Sequence, residues 1–429
     1  MKTSDLYQLY LQYPNVTTDS RSCLPASMFF ALKGDNFNGN QFAQKALENG
    51  ASIVVVDEEA YVTDKRCVLV DNVLLALQDL ARFHRRNLTI PVIGITGSNG
   101  KTSTKELCAA VLKQKYKVHF TQGNLNNHIG VPLTLLGITP SAEIAIIEMG
   151  ANHPGDIKEL VEISLPDYGL ITNVGKAHLE GFGSFEGVIK TKKELYDYIL
   201  QANGRIFIDG DNAYLEVMAQ GLEKIYYGTD EKGYINGHIV STNPFVAFEW
   251  SQNNATPQRV QTNLIGEYNI SNLLAAVCVG TYFGVTSAQC KEGIESYVSD
   301  NNRSQWQKTA KNELILDAYN ANPTSMEAAL RNFKNIETDK PKMVVIGDMF
   351  ELGKDALLEH QKIVDLIQSL SFDSVYLVGK QFASTISSFT TFASGEELMP
   401  FLENKAIEGC YVLIKGSRSM KMERVVIYL

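Results

Sequence analysis

The segment PVIGITGSNGKTST (residues 91–104) decides the fold of the region around it. Its apolar run from Val92 to Ile95 predicts a buried strand, a glycine-rich turn follows, and the residues after Lys101 suit a helix. Strand, turn and helix N-terminus in this order direct backbone N–H groups at an anion. The segment therefore predicts a phosphate-binding loop, in which Lys101 neutralises phosphate charge and the Thr102 hydroxyl binds Mg²⁺.

The predicted loop is shorter than the usual phosphate-binding pattern. That pattern has glycine where this chain has Ile95, so the nucleotide-binding residues are expected to be Gly97, Ser98, Asn99, Gly100, Lys101, Thr102 and Ser103. The alternative is a glycine-rich surface turn. The agreement of strand, loop, Lys-Thr pair and helix disfavours it.

Length and composition bound the class of protein. The 429 residues exceed what one core usually organises, so we expect two to three domains. A net charge of −9 argues against a nucleic-acid or anionic-membrane surface. The six cysteines are scattered, and the sequence has no Cys-x-x-Cys pair and no apolar run typical of a signal peptide or membrane span. We expect a soluble, cytoplasmic protein with no nucleic-acid partner and no membrane insertion.

Alternating strand and helix patterns predict an α/β fold with three domains. Residues 1–85 are predicted to form a small α/β domain, and residues 86–299 a domain with the phosphate loop in a mostly parallel sheet, extended by short β-type runs. Residues 300–429 alternate strands with helices as in an open Rossmann-like sheet, without a dinucleotide fingerprint. Ligand groups in such folds lie at the carboxyl ends of strands.

Candidate metal ligands follow the strands of the middle domain. Glu148 ends a second apolar strand, so its carboxylate should face the phosphates and bind Mg²⁺; a glutamate that only pairs is the alternative. His178 follows a third strand in a glycine-rich loop and is either a metal ligand or a structural histidine. The next helix carries Lys190, Lys192 and Lys193, which by themselves suit a solvated face.

Other polar groups suggest contacts with nucleotides. Ser20, Arg21 and Lys33 lie in loops of the first domain and would hold an anion such as a nucleotide diphosphate, with solvated charge as the alternative. Asn269 and Asn272 either meet a purine edge or cap a helix. In the third domain, candidate ligand groups follow strands at residues 317–323, 348–351 and 415–418.

Several long motifs, in order, resemble the Mur ligase family over essentially the whole chain. They are TDSR (18–21), FFALKG (29–34), GITGSNGKT (94–102), EMG (148–150) and NVGKAHLEGFG (173–183). Four further motifs are most similar to the members that add D-alanyl-D-alanine: GNLNNHIGVP (123–132), YNANPTSM (319–326), GDMFELG (347–353) and KGSRS (415–419).

The resemblance implies an ATP-dependent ligase. It would join D-alanyl-D-alanine to UDP-N-acetylmuramoyl-tripeptide through an acyl phosphate, giving the pentapeptide precursor of peptidoglycan. Both partners are small molecules, and a monomer is expected. Lys101 would offset developing charge, beside two Mg²⁺ ions held by Thr102, Glu148, His178 and a carbamylated lysine. The family places that lysine fourteen positions after the histidine, which is Lys192 in this chain.

The same resemblance implies further contacts. Asn269 and Asn272 would lie near adenine, and a closing third domain would bring Arg303, Asp317, Tyr319 and Asn320 to the nucleotide. Substrate contacts would come from Ser20, Arg21, Lys33, Asn124, Asn126 and Asn127. Two departures concern uridine and adenine contacts rather than the reaction: the family's Asp-Gly-His is Asn38-Gly39-Asn40 here, and its histidine before Asn269 is Tyr268.

Three alternatives stand beside this interpretation. A sister ligase that adds a single amino acid has an Asp-Asn-Pro-Arg motif, where this chain has Asn320-Ala-Asn-Pro323. A folylpolyglutamate synthase would leave the N-terminal domain unexplained. A non-catalytic module that binds UDP-peptides is disfavoured by the intact Lys101, Thr102, Glu148 and His178.

Overall fold

The computed structural model of the protein describes residues 1–230, 233–253 and 255–429. It contains, in chain order, a four-stranded, a nine-stranded and a six-stranded sheet, with a two-stranded ribbon beside the first. Helices connect the strands within each sheet. The predicted α/β class with three units is confirmed.

The first unit is a small parallel sheet with helices. Its sheet has the order β1-β2-β5-β6 with all pairs parallel, and β3 and β4 form the antiparallel ribbon. Its elements are α1 (Thr3–Gln12), β1 (Asn15–Thr17), β2 (Ser27–Phe30), β3 (Lys33–Gly34), β4 (Phe37–Asn38), α2 (Ala43–Glu48), β5 (Ala51–Val56), β6 (Cys67–Leu69) and α3 (Val73–Asn87).

The middle unit has the largest sheet, of order β15-β14-β13-β12-β11-β10-β7-β9-β8. Its strands are β7 (Val92–Thr96), β8 (Val118–Phe120), β9 (Ile144–Glu148), β10 (Tyr168–Ile171), β11 (Arg205–Asp209), β12 (Glu223–Gly228), β13 (Ile235–Ser241), β14 (Ala247–Gln252) and β15 (Gln258–Gln261). Its helices are α4 (Lys101–Leu112), α5 (Gly130–Leu136), α6 (Asp156–Ser164), α7 (Leu179–Phe182), α8 (Phe185–Gln201), α9 (Ala213–Met218), α10 (Ile270–Tyr282) and α11 (Ser287–Glu295).

Two features of this sheet position the site. The strands from β8 to β13 pair in parallel, whereas β14 and β15 pair antiparallel, which confirms the predicted β extension. Strand β7 lies between β9 and β10, so strands that come later in the chain lie on both sides of it. A crevice opens at the carboxyl ends of strands at such a point.

Helix α3 joins the first unit to the middle one. The Gln78 amide donates to the Glu159 carboxylate of α6 over 2.7 Å, and the Arg85 guanidinium donates to Asp167 over 2.8 Å. The predicted division after residue 85 falls within this helix, which continues to Asn87. One hydrophobic cluster extends from Leu6 in the first unit to Met218 in the middle unit, so the two share a core.

The third unit is an open sheet of order β16-β17-β21-β18-β19-β20, parallel except for β16. Separate hydrophobic clusters pack its buried side chains, as a sheet with two covered faces requires. Its elements are β16 (Gln305–Lys308), β17 (Glu313–Asp317), α12 (Pro323–Asn335), β18 (Lys342–Gly347), α13 (Ala356–Leu370), β19 (Ser374–Val378), α14 (Lys380–Ala383), β20 (Thr390–Phe392), α15 (Gly395–Lys405) and β21 (Tyr411–Lys415).

Within the three described ranges, no helix combines the length and the apolar character that crossing a membrane requires.

Candidate active site

The loop between β7 and α4 needs its glycines. Gly97 has φ +148° and Gly100 has φ +78°, both in the region that favours glycine. A Cβ at Gly97 would lie 1.9 Å from the Thr172 hydroxyl oxygen. The Asn99 N–H donates to the Asn173 side-chain oxygen over 3.0 Å, which ties the loop to the end of β10. The loop is thus pinned between two adjacent strands.

Lys101 folds back over this loop. Its Nζ donates to the carbonyl oxygens of Gly97 over 2.7 Å and of Ser98 over 3.3 Å. Burial lowers the pKa of Lys101 to about 8, Glu148 opposes that change, and the cation of Arg303 adds to it. An anion bound in the loop would favour the charged lysine, because it would restore the interactions that water no longer supplies.

The Glu148 carboxylate lies at the end of β9 beside the loop. One oxygen, Oε1, accepts hydrogen bonds from the Thr102 hydroxyl (3.1 Å) and the Asn126 amide (2.8 Å). The other, Oε2, is buried without a hydrogen-bond partner among the described residues. Its ion-pair partner is Lys105, whose Nζ is 3.6 Å away and fully buried. An orphaned carboxylate oxygen next to a hydroxyl suits a hard cation such as Mg²⁺.

His178 lies just before α7 and faces the third unit. Its backbone has φ +51°, and its buried Nδ1 is in direct contact with the carboxylate of Glu351, which follows β18. The hydrogen bond from His178 holds the pKa of Glu351 below its usual range, against the opposing effect of burial. The ring therefore has a structural partner on one side, and its Nε2 is left for a ligand.

The three lysines of α8 have different environments. Lys190 is exposed, and Lys193 pairs with Asp197 one turn along the helix. Lys192 is 2% exposed, with its Nζ 5.5 Å from the centre of the Phe182 ring. Burial and then the nearby Lys101 cation lower the pKa of Lys192 well below its usual value. Lys192 is therefore the buried lysine of the three, and its environment favours the neutral amine more than water does.

The third unit contributes a cationic cluster. The buried Lys415 Nζ donates to the Asp317 carboxylate over 2.6 Å and to the Asn320 carbonyl over 3.1 Å. The Tyr319 ring contacts two guanidinium groups, with its centre 3.7 Å from the Arg303 Cζ and 4.6 Å from the Arg418 Cζ. These contacts gather positive charge at the carboxyl ends of β17 and β21.

The middle and third units meet over the loop. The Asn322 amide donates to the Asn99 side-chain oxygen over 2.7 Å. The units enclose a cleft of about 890 Å³. Seventeen predicted site residues line it: Ser98, Asn99, Gly100, Lys101, Thr102, Ser103, Asn124, Asn126, Asn127, Glu148, His178, Asn269, Asn272, Arg303, Asp317, Tyr319 and Asn320. Gly97 and Lys192 do not line it.

Among the other lining residues are four from the segments that the sequence marked only as candidate ligand groups: Asn322, Glu351, Lys415 and Arg418. A signal for them existed, because each lies in a turn after a predicted strand. A second cavity of about 480 Å³ shares Asn320, Glu351 and Arg418 with the cleft and adds Phe350 and Lys421.

The side chains of Asn269 and Asn272 do not cap helix α10. The Asn269 side chain makes no capping hydrogen bond; its amide donates to the Ile265 carbonyl over 2.8 Å. Asn272 donates to the Asn269 side-chain oxygen over 2.9 Å and accepts from the Thr104 hydroxyl over 2.9 Å. The capping hypothesis is wrong, because these amides instead fix α10 against α4 at the edge of the cleft.

Ser20, Arg21 and Lys33 do not line the cleft. The Arg21 side chain is 88% exposed and pairs with Asp19 over 2.8 Å. Lys33 Nζ lies 2.8 Å from carboxylate oxygens of both Asp57 and Glu58. Any ligand that these groups hold must therefore extend from the first unit to reach the loop.

Comparison with protein-family models matches three consecutive segments. Residues 12–93 match the model described as Mur ligase family, catalytic domain; residues 95–280 match the Mur ligase middle domain; and residues 302–418 match the Mur ligase, glutamate ligase domain. The chain belongs to the Mur ligase family. The three matched segments of this Mur ligase correspond to its three sheets.

Individual relatives of this Mur ligase match it over nearly their whole length. The UDP-N-acetylmuramoyl-tripeptide–D-alanyl-D-alanine ligase of Escherichia coli (strain K12) is 36% identical over 423 residues, covering 96% of this chain and 92% of the relative. A crystal structure of MurF from Acinetobacter baumannii is 28% identical, with a TM-score of 0.88 and coverage of 99% and 98%. The MurF ligase of Thermotoga maritima in complex with ADP is 27% identical, with a TM-score of 0.86 and coverage of 97% of each chain.

Proposed function

We propose that this Mur ligase uses ATP to join D-alanyl-D-alanine to UDP-N-acetylmuramoyl-tripeptide. The observation that carries the proposal is the hydrogen bond between Asn99 of the phosphate loop and Asn322 of the YNANPTSM motif, inside one cleft. A binding module would not need a second unit to meet the phosphate loop, whereas a ligase must bring three reactants together. The relatives that match nearly the full length support the same reaction.

The tripeptide carboxylate and the dipeptide amine do not react with each other unaided, so ATP must first activate the carboxylate. The tripeptide carboxylate attacks the γ-phosphorus of ATP, the bond to the bridging oxygen of ADP breaks, and an acyl phosphate forms. The dipeptide amine then attacks the acyl carbon, loses a proton, and expels phosphate. Lys101 and Arg303 face the cleft as cations and would offset the charge that develops on the transferred phosphoryl group.

The groups present also fit the implied metal ions. We propose Thr102, Glu148, His178 and carbamylated Lys192 as the ligands of two Mg²⁺ ions, supported by the orphaned Glu148 Oε2. A neutral buried amine is the form that reacts with CO₂, and the carbamate is an oxygen anion like a carboxylate. Among the described residues, no three His, Cys, Asp or Glu side chains form a ready-made metal cluster, so hydroxyl, phosphate and carbamate oxygens would complete the ligand set. Bound Mg²⁺ would neutralise phosphate charge.

We assign the three units separate tasks. Residues 1–85 would hold the UDP group through Ser20, Arg21 and Lys33, and Asn124, Asn126 and Asn127 would hold the donor near the loop. Residues 86–299 would bind ATP, with Asn269 and Asn272 near adenine. Residues 300–429 would close on the nucleotide through Arg303, Asp317, Tyr319 and Asn320. A monomer suffices, because one chain supplies every group in the proposal.

The second cavity is our candidate acceptor site. Its cations Arg418 and Lys421 suit the carboxylate of D-alanyl-D-alanine, and the exposed Phe350 ring suits a methyl group. The cavity shares Glu351 and Asn320 with the main cleft, so an amine held there could reach the acyl phosphate.

Phosphate release from ATP tests the proposal. The protein would be incubated with UDP-N-acetylmuramoyl-tripeptide and, in parallel, with D-alanyl-D-alanine, D-alanine or no acceptor, and products would be weighed by mass spectrometry. Release only with the dipeptide, together with the pentapeptide mass, is expected. Turnover with a single amino acid would move the enzyme to a sister reaction, and no turnover would favour the binding module.

A further inference from the structure

Two residues with unusual backbones meet where the third unit touches the middle unit. His178 (φ +51°) and Glu351 (φ +63°) both adopt the left-handed conformation, which non-glycine residues seldom adopt. Their loops are joined by a backbone hydrogen bond of 3.2 Å from the Glu180 N–H to the Glu351 carbonyl. A Cβ at Gly353 would lie 3.4 Å from the Glu180 Cβ. Both loops therefore place a residue of left-handed conformation at the contact between the two units.

The contact distinguishes the two nitrogens of the His178 ring. Nδ1 is buried and in contact with the Glu351 carboxylate as an ion-pair partner, although it makes no hydrogen bond of ordinary geometry among the described residues. A carboxylate can only accept a hydrogen bond, so this contact favours the tautomer with the proton on Nδ1. In the neutral ring, the lone pair then resides on Nε2. Histidines that bind metals are commonly oriented in this way by a carboxylate on the other nitrogen.

Glu351 comes from a different unit than His178. It belongs to the GDMFELG turn after β18 in the third unit, whereas His178 and the phosphate loop belong to the middle unit. The carboxylate can therefore orient His178 only while the third unit lies against the middle unit. The same closure places Asn322 on Asn99.

We propose that Glu351 is a positioning residue: it fixes the tautomer and ring orientation of His178, and so completes the metal site only when the third unit closes. This inference rests on the proposed function insofar as His178 binds a metal. It adds a role for the GDMFELG motif, which would couple domain closure to readiness for phosphoryl transfer.

The tautomer of His178 provides a test without ATP, metal or substrate. In ¹⁵N-histidine-labelled protein at about pH 8, where histidine is ordinarily neutral, two-dimensional spectra show which ring nitrogen is protonated; His178→Gln assigns the signal among the seven histidines. We expect the proton on Nδ1 in the wild type and in Glu351→Gln, whose amide oxygen still accepts. Glu351→Ala should shift the population towards Nε2–H.

Metal binding provides the second readout. Titration of Mn²⁺ in the presence of ADP, followed by electron paramagnetic resonance, should show about 10- to 100-fold weaker binding at one site in Glu351→Ala. Turnover should show a lower kcat, whereas the KM for D-alanyl-D-alanine does not discriminate, because Glu351 also lines the candidate acceptor cavity. Lys354→Ala, an exposed change in the same turn, should match the wild type in every measurement. Thermal melting checks that each variant is folded, and Glu351→Gln keeps the test valid should Glu351→Ala unfold.

A wild-type His178 protonated on Nε2 would overturn the proposal. So would a folded Glu351→Ala variant with wild-type tautomer and Mn²⁺ affinity. If the wild type carries the proton on Nδ1 and binds Mn²⁺ as expected but forms no pentapeptide, the positioning role is supported and the proposed reaction is lost.

Discussion

Replacing Lys101 with methionine should make the nucleotide-free protein more stable. Burial lowers the pKa of Lys101 from 10.5 to about 8, a difference that corresponds to about 3 kcal/mol against the charged lysine. Methionine has a similar length and no charge. The substitution also removes the hydrogen bonds from Nζ to Gly97 and Ser98, worth about 1 kcal/mol each. The net gain is about 1 kcal/mol, or a rise of about 1–2 °C in Tm for a cooperative unit of this size.

The stability difference between Lys101→Met and the wild type should depend on pH, which a change in packing alone would not cause. The folded pKa of Lys101, about 8, lies below its unfolded value, so between these values the unfolded chain binds more protons and wild-type stability rises with pH. The advantage of Lys101→Met should therefore be full below about pH 8 and shrink above it. A constant difference across this range would contradict the electrostatic origin.

Calorimetry with and without Mg²⁺ and ADP measures both effects. The wild type should gain Tm when nucleotide binds, whereas Lys101→Met should gain little, because the cation that meets the phosphates is missing. Lys113→Met, at the exposed end of α4, is the matched control and should keep the nucleotide shift. A lower Tm for Lys101→Met at pH 7 without nucleotide would refute the reasoning.

Three further predictions concern the loop, the helix lysine and the acceptor cavity. Gly97→Ala should abolish ADP binding measured by calorimetry, because its Cβ would meet Thr172 at 1.9 Å, whereas Gly123→Ala, also at positive φ but with nothing within 4 Å, should bind normally. Lys192→Ala should lose product formation and regain part of it with acetate, while the exposed Lys190→Ala stays active; full activity of Lys192→Ala would exclude a carbamate there. Arg418→Ala should raise the KM for D-alanyl-D-alanine about tenfold, as expected for a lost charge-assisted hydrogen bond, while the KM for ATP stays constant. Arg424→Ala is the surface control for Arg418→Ala, and an equal rise in both KM values would place Arg418 elsewhere.

The elements that the sequence predicts best have short-range causes. The run of apolar and β-branched residues from Ala51 to Val56 is a strand with those same bounds, because burial on both faces demands continuous apolar side chains. Helix α3 begins at Val73, since the Asn72 side chain accepts from the Leu75 N–H and caps it, and asparagine is a common residue at that position. The phosphate loop is similarly local, being a strand, a turn and a helix in succession.

The missed contacts have long-range causes. The capping hypothesis for Asn269 and Asn272 failed because Thr104, far away in the chain, offers Asn272 a partner that local spacing does not reveal. The pairing of Lys415 with Asp317 depends on β21 lying beside β17, and strand order has no signature in either motif. Glu351 was visible as a group after a strand, but its contact with His178 depends on the packing of one unit against another.

Seven buried side-chain atoms lack hydrogen bonds among the described residues, and two of them, Lys105 Nζ and His178 Nδ1, are in ion-pair contact with Glu148 and Glu351. The other five fall into two groups. Those of Tyr196, Trp250 and Tyr411 belong to large side chains of the hydrophobic cores. Those of Glu148 and Arg303 belong to charged groups that line the cleft. An unmade hydrogen bond at a buried neutral group costs roughly 1–3 kcal/mol, and more at a charged group, so both atoms would gain from a bound partner.

A phosphate and a cation are the complements of these two groups. Arg303 offers its Nε–H to an anion, and the Glu148 Oε2 offers a lone pair to a cation; both residues line the same cleft as Lys101. A metal–nucleotide complex would supply the partner that each group lacks. The unfavourable free energy of these groups in the nucleotide-free protein would therefore favour binding of that complex. Lys101→Met should show the same relation, because it is expected to gain stability without nucleotide and to lose nucleotide binding.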